Sequence, residues 1–224
     1  IVYTATTSGT LYLDVAAWGN GDTGTYQVTM GEPEPLTLWT LDQIANQLEN
    51  GYWGGAGQAR NFNVAPGGTI TVNLTALTTA GQALARNALD MWTDVTGITF
   101  SEVSTGGQIT FDDDQEGAFA TSTRSGGFIV SSQVNVSVDW ITTYGSGLTT
   151  YSLQTYVHEI GHALGLGHAG NYNGTVDIPA DLLYLNDSWP VTVMSYVDQA
   201  ESPHFSTLDY SRVYITTPMG ADIV

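Results

Sequence analysis

Three of the chain's four histidines lie within eleven residues, and their spacing constrains the local fold strongly. His158 and His162 are four residues apart, so a helix would place both imidazoles on one face, where they can hold a single metal ion. Glu159 lies beside them without the spacing of a ligand, and it can take a proton from a metal-bound water. Gly165 can adopt a positive φ, end the helix and return His168 to the metal. Three imidazoles without a thiolate indicate a catalytic zinc that keeps an open position for water.

The surrounding sequence favours this interpretation over two alternatives. Two core histidines bonded to backbone carbonyls would explain neither the glutamate nor the third histidine. A purely structural zinc is usually closed by four protein ligands, commonly with thiolates, and the chain has no cysteine. The motif also falls late in a predicted helix over residues 151–164, whose apolar face lies well over a quarter-turn from the two helical histidines. The residues of that face are Leu153, Val157, Ile160 and Leu164.

A methionine follows the third histidine at a distance that extends the motif. Met194 lies 26 residues after His168, in the segment Val193-Met194-Ser195-Tyr196, called the Met-turn below. The histidine motif followed by such a turn is the metzincin signature. Within that group, the helix sequence, Asn171-Tyr172-Asn173 and the Met-turn resemble the serralysins, whereas astacins are usually held by disulfides. The resemblance covers most of residues 36–224, and the chain departs from it at Ala169, where serralysins usually have proline.

The resemblance to serralysins implies an activity and further site residues. It implies a bacterial, extracellular, zinc-dependent endopeptidase. Met194 would lie beneath the metal-binding histidines, and Tyr196 would add a fifth, displaceable zinc ligand that stabilises the oxyanion when substrate binds. An extended peptide would lie along an exposed strand edge within residues 117–123. The residues of that strand expected to contact substrate are Ala118, Phe119 and Ala120.

Hydrophobic periodicity predicts helices mixed with strands, which indicates an α/β or α+β layered domain. Thr40 is expected to cap a first helix, and Thr79 with Gln82 has capping-box spacing for a second helix that ends at Gly97. The resemblance adds a twisted, mainly parallel sheet with an antiparallel edge strand, a second helix packed on the active-site helix, and a loop-rich C-terminal subdomain with the Met-turn. The strand candidates are Tyr26–Met30, Ile98/Phe100, Ile109/Phe111, Gly117–Thr123, Phe128–Val130 and the alternating Val134, Val136, Val138 and Trp140.

The expected organisation is one catalytic domain with two parts. Residues 1–168 would form an upper subdomain that ends in the zinc-binding helix, and residues 169–224 a lower subdomain with the Met-turn. Serralysins continue into a calcium-binding β-roll, and Thr217–Val224 looks like an interrupted helix start, so we expect the parent protein to continue. Calcium is expected mainly in that module. Asp112–Asp114 with Glu116 offers hard oxygens, but its spacing matches no known calcium loop, which favours a solvated acidic loop.

The charge of the chain limits its partners. It carries 22 acidic side chains against 4 arginines and no lysine, a formal charge of −18. A surface this anionic repels phosphates and acidic lipid heads, which argues against nucleic acid and membranes as partners. No apolar run approaches the ~20 residues of a membrane span. We expect a monomer that acts on protein or peptide substrates and that a proteinaceous inhibitor can block.

Two other functions stay open on the sequence alone. One is a metzincin-like binding module that holds zinc without proteolysis, although the intact Glu159 argues against it because a binding module needs no base beside its metal. The other is zinc-dependent hydrolysis of a non-peptide amide or ester, which the motif does not distinguish from peptide hydrolysis.

Overall fold

Capping residues and apolar periodicity explain where most elements begin and which side they bury. The structure, a computed structural model, describes residues 35–55 and 60–224. The predicted strand Tyr26–Met30 lies outside these residues. The α-helices are α1 (Leu41–Asn46), which continues as a π-helix over Gln47–Gly51, α2 (Thr79–Thr96), α3 (Val138–Tyr144) and α4 (Tyr151–Leu164). The strands are β1 (Thr69–Asn73), β2 (Thr99–Glu102), β3 (Ile109–Asp112), β4 (Ala118–Ser125) and β5 (Phe128–Val136).

The five strands form one mixed sheet in the order β2-β1-β3-β5-β4. Strand β1 pairs in parallel with β2 and β3, and β3 pairs in parallel with β5. Strand β4 pairs antiparallel with β5, from Ala118 opposite Val136 to Ser125 opposite Phe128. The sheet is therefore mainly parallel with one antiparallel edge strand, as predicted. Within the described residues β4 pairs on one side, so its outer edge keeps unpaired backbone groups.

Helices α2 and α4 pack on each other and cover the buried face of the sheet. The indole Nε1 of Trp92 donates to the carbonyl of Val157 at 3.0 Å, which joins the two helices through a fully buried side chain. The cap of α2 lies one residue earlier than predicted. Thr78 accepts the amide of Gly81, whereas the Gln82 side chain donates to the carbonyl of Leu77.

The alternation that predicted a strand through Trp140 was wrong beyond Val136. Ser137 is extended, and its hydroxyl accepts the amide of Trp140 at 3.1 Å, which begins helix α3. Apolar residues at Val138 and Trp140 therefore lie on a short helix. A serine that caps the following turn ended the strand, and alternation alone does not reveal that change.

After α4 the chain is loop-rich, as predicted, and contains the short 3₁₀ turns Phe205–Leu208 and Gly220–Asp222. The segment predicted to begin a helix, Thr217–Val224, contains the second of these turns, and Asp222 in it is buried and accepts the amide of Val193. No helix among the described residues is long and apolar enough to span a membrane.

Candidate metal centre

The end of α4 brings the three histidines together. Gly165 has φ 125°, the positive value that was predicted, and a Cβ there would lie 1.7 Å from the carbonyl oxygen of Arg60. The chain turns at this glycine and returns His168 to the helix. One ligand atom from each of the three histidines lies within 4.8 Å of the others, and the Nε2 atoms of His162 and His168 are 2.9 Å apart. These separations suit one tetrahedral zinc, whose ligand nitrogens lie about 3.3 Å apart for Zn–N bonds of about 2.05 Å.

Each of the three imidazoles has an oxygen next to its Nδ1 atom. The Nδ1 atom of His158 lies 2.8 Å from the carbonyl oxygen of Val193, and the Nδ1 atom of His162 lies 2.8 Å from that of Leu166. His168 lies 3.1 Å from the hydroxyl of Tyr52. An Nδ1–H that donates to oxygen leaves Nε2 with a free lone pair, which is the usual arrangement of metal-binding histidines. The donor set therefore fits zinc.

Burial keeps these imidazoles neutral. It lowers the pKa of His158 to about 4 and that of His168 to about 3, and it lowers the pKa of His162 well below its ordinary value. Neutral imidazole is the form that binds a metal. Among residues 35–55 and 60–224, the histidines form the only cluster of three or more His, Asp or Glu side chains with metal-binding spacing. In the acidic loop, Asp113 is buried and accepts the amide of Thr78.

Glu159 follows the first histidine of the motif on helix α4. Its side chain is buried, and its Oε2 atom has no hydrogen-bond partner among the described residues. Burial raises the pKa of this carboxyl to about 8, a shift that the charge of a bound metal ion would oppose. A buried carboxyl without a structural partner suits a group that exchanges protons with a ligand.

The Met-turn packs against helix α4. Met194 is fully buried, and a Cβ on Gly161 would lie 2.6 Å from its sulfur, so the glycine makes room for the methionine. The preceding residue, Val193, provides the carbonyl that accepts from His158. The Tyr196 ring lies 4.6 Å from that of His168 between centroids, and its hydroxyl accepts the amide of Gly174 at 3.3 Å. The structure thus places Met194 and Tyr196 beside the histidines.

Comparisons with known proteins agree with this arrangement. A family model described as Matrixin matches residues 70–176. "Metalloprotease AprA" of Pseudomonas entomophila is 30% identical over 220 residues, which cover 83% of this chain and 43% of that protein. "Serralysin" of Proteus mirabilis is 36% identical over 144 residues, which cover 54% of this chain and 29% of that protein.

The chain carries a serralysin-type metzincin domain. It spans less than half the length of these relatives. The solved structure of myroilysin resembles the metzincin domain weakly, with a TM-score of 0.43 and 19% identity over 70% of this chain and 90% of that one.

Two cavities flank Glu159 in the metzincin domain, and strand β4 contributes to both. The first, of about 540 Å³, lies towards the start of α4 and includes Trp140 and Tyr151. The second, of about 390 Å³, lies beside His162 and His168. The edge strand contacts the first only at its beginning and the second along five residues, Ala118 to Ser122. The three predicted substrate-contact residues, Ala118, Phe119 and Ala120, therefore lie next to the metal centre.

Several supporting residues of the metzincin domain were missed by sequence reasoning. Tyr52 orients His168 from a loop more than 100 positions earlier. Asp187 accepts from the hydroxyls of Ser195 and Tyr172, and Asp222 accepts from the amide of Val193 and the hydroxyl of Thr192. Burial raises the pKa of each carboxyl to about 6. An isolated acid or tyrosine in a loop gives no sequence signal for such a contact.

Proposed function

We propose that this chain is the catalytic domain of a secreted, zinc-dependent endopeptidase that hydrolyses internal peptide bonds of proteins. The observation that carries the proposal is the position of Glu159, whose buried Oε2 atom has no hydrogen-bond partner among the described residues, beside three histidines with one ligand nitrogen each within 4.8 Å of the others. The serralysin relatives support the same activity, although the chain covers only part of their length.

Zinc would be held by His158, His162 and His168. When bound, it supplies Lewis acidity, which polarises a carbonyl and lowers the pKa of water towards about 7. The Nδ1 contacts of the histidines fix the rings, so that the ligand geometry is already formed before the metal binds.

Glu159 would act as the general base and then as the acid. Its carboxylate accepts a proton from the attacking water and passes it to the leaving amine when the carbon–nitrogen bond breaks. Tyr196 would serve as a displaceable fifth ligand and then donate its hydroxyl hydrogen to the developing oxyanion. Its hydroxyl accepts one hydrogen bond, from the amide of Gly174, and it can exchange this bond for one to the substrate. Both groups line both cavities beside β4, where the peptide would lie.

The peptide substrate would add to the free edge of β4 as an extended strand. Backbone hydrogen bonds along residues Ala118, Phe119 and Ala120 would hold it, and the cavities would receive alternate side chains. We further propose a monomer with an upper subdomain to residue 168 and a lower one from residue 169. In the parent protein, a calcium-binding β-roll would follow, and a proteinaceous inhibitor would occupy the same edge.

The test is a caseinolysis assay on protein whose zinc content has been measured. The proposal expects about one zinc per chain, cleavage of casein, loss of cleavage with a zinc chelator and recovery when zinc is restored. Bound zinc without cleavage of any protein would favour the non-proteolytic binding module. Cleavage of small esters or amides but not of proteins would favour the non-peptide hydrolase.

A further inference from the structure

An arginine lies in the second cavity on the face of a tryptophan. The guanidinium carbon of Arg60 is 3.5 Å from the centre of the Trp53 ring, and both residues line the cavity with His162 and Glu159. The Trp53 Nε1 atom donates to the carbonyl of Gly165 at 2.9 Å, which ties the ring to the end of α4. A guanidinium stacked on an aromatic ring keeps its N–H edge available for a planar acceptor.

The charge of Arg60 has no carboxylate partner among the described residues. The two ion pairs found there are those of Arg86 with Glu102 and Arg212 with Asp198. The Nε atom of Arg60 is buried and has no hydrogen-bond acceptor within that part of the chain. Burial and the nearby charge of Arg124 lower the pKa of Arg60, so an anion placed beside it would be stabilised.

The path of β4 assigns this cavity to one side of the cleavage site. Antiparallel pairing is the more stable way to add a strand to a sheet edge. A peptide antiparallel to β4 would run from Ser122 towards Gly117, past the second cavity first and then past the first cavity. The second cavity would therefore receive residues on the amino side of the scissile bond. Alternate side chains of an extended peptide face the same way, so one of the three residues before the scissile bond would point into the second cavity.

We propose that Arg60, supported by Trp53, binds an aspartate or glutamate side chain of the peptide substrate on the amino side of the scissile bond. This inference rests on the proposed endopeptidase function. A carboxylate would form charge-assisted hydrogen bonds with the terminal N–H groups of the guanidinium. The site would select acidic segments even though the rest of the chain repels them.

The experiment compares kcat/KM on peptides in which each of the three positions before the cleavage site is glutamate or glutamine. For the zinc-loaded wild type, we expect a glutamate preference of about tenfold or more at one of these positions. Arg60→Gln should reduce that ratio to within about twofold, and Arg60→Lys should keep part of it because the charge stays. Arg86→Gln is the matched control, since it removes the same charge from an exposed ion pair far along the sheet.

A binding measurement separates this inference from the proposed function. The anisotropy of a fluorescent glutamate peptide is measured with zinc-loaded Glu159→Gln, which retains Arg60, and with the same variant carrying Arg60→Gln. Tighter binding of the glutamate than of the glutamine peptide, lost with Arg60, supports the inference even if no peptide is cleaved. A wild-type ratio near one in both cleavage and binding overturns it, whether or not any variant folds. A preference that survives Arg60→Gln in a folded protein also overturns it.

Discussion

Helix α4 and the Met-turn region contribute to the metal centre in different ways. The helix supplies His158, His162 and Glu159 from five consecutive residues, so its geometry alone sets their spacing. The Met-turn region packs against this helix. The Val193 carbonyl lies beside the Nδ1 atom of His158, and Met194 lies against Gly161. This region is held by two buried carboxylates, Asp187, which accepts from the hydroxyl of Ser195, and Asp222, which accepts from the amide of Val193. The proposed chemistry is thus concentrated in one contiguous segment, while the contacts that support the histidines come from several parts of the chain.

The largest effect on kcat should come from helix α4, which carries the proposed general base. Glu159→Gln should leave zinc bound and lower kcat by 10²-fold to 10⁴-fold or more, because the proposed general base is lost and the proposed ligands are kept. Zinc content and kcat are measured on the same preparation. Glu49→Gln, at an exposed position, is the control for a lost carboxylate. Substantial activity in zinc-loaded Glu159→Gln would show that the base lies elsewhere.

The next effect tests the one Met-turn residue with a proposed catalytic role. Tyr196→Phe should retain zinc and lower kcat about 10²-fold to 10³-fold, because it removes one donor to the oxyanion while keeping the ring. If Tyr196 only packs against His168, the substitution would be nearly silent. If it is an essential ligand, zinc would dissociate. Tyr210→Phe, at an exposed tyrosine, is the control.

A contact made by a residue outside both helix α4 and the Met-turn region should have a smaller effect, on zinc affinity. Tyr52→Phe removes the oxygen beside the Nδ1 atom of His168 and should lower zinc affinity about 10-fold to 100-fold. Competition with a chromogenic zinc chelator measures the affinity directly. Unchanged affinity would show that the Tyr52 hydroxyl does not orient this ligand, and that His168 is held by packing alone.

The smallest effect concerns the pH dependence of stability. Burial raises the pKa of Asp187 to about 6 in the folded chain, against an ordinary value of 3.8. Between these values the native state binds more protons than the unfolded state, so the contribution of Asp187 to stability is full below pH 4 and falls as pH rises through 6. The loss is on the order of 2–3 kcal/mol for a shift of about two units.

Asp187→Asn should remove this pH dependence. We expect the free energy of unfolding of the wild type, minus that of the variant, to decrease from pH 4 to pH 7 when both are measured at equal zinc content. Asp94→Asn, at an exposed position of α2, is the matched control for the loss of a carboxylate. A flat difference for Asp187→Asn would mean that this carboxyl titrates normally in the folded chain.

Much of the fold follows from local patterns in the sequence. The caps at Thr40 and Gly97, the helix over 151–164 and the alternation in β3 all agree with the structure, since each depends on neighbouring residues. The errors also have local causes. Thr78 rather than Thr79 caps α2, because two adjacent threonines offer the same hydroxyl. The strand predicted through Trp140 ends at Val136, because Ser137 caps a helix whose apolar residues happen to alternate.

The sequence by itself determined the metal-binding candidates, because His158, His162 and Glu159 are fixed by helical periodicity and Gly165 by its freedom to adopt positive φ. Only the tertiary structure decided which oxygens lie beside the imidazoles and which cavities flank Glu159. Tyr52 reaches His168 across 116 positions, and Arg60 reaches the cavity through a loop. Contacts of this kind depend on how distant segments pack, and no periodicity in the chain records them.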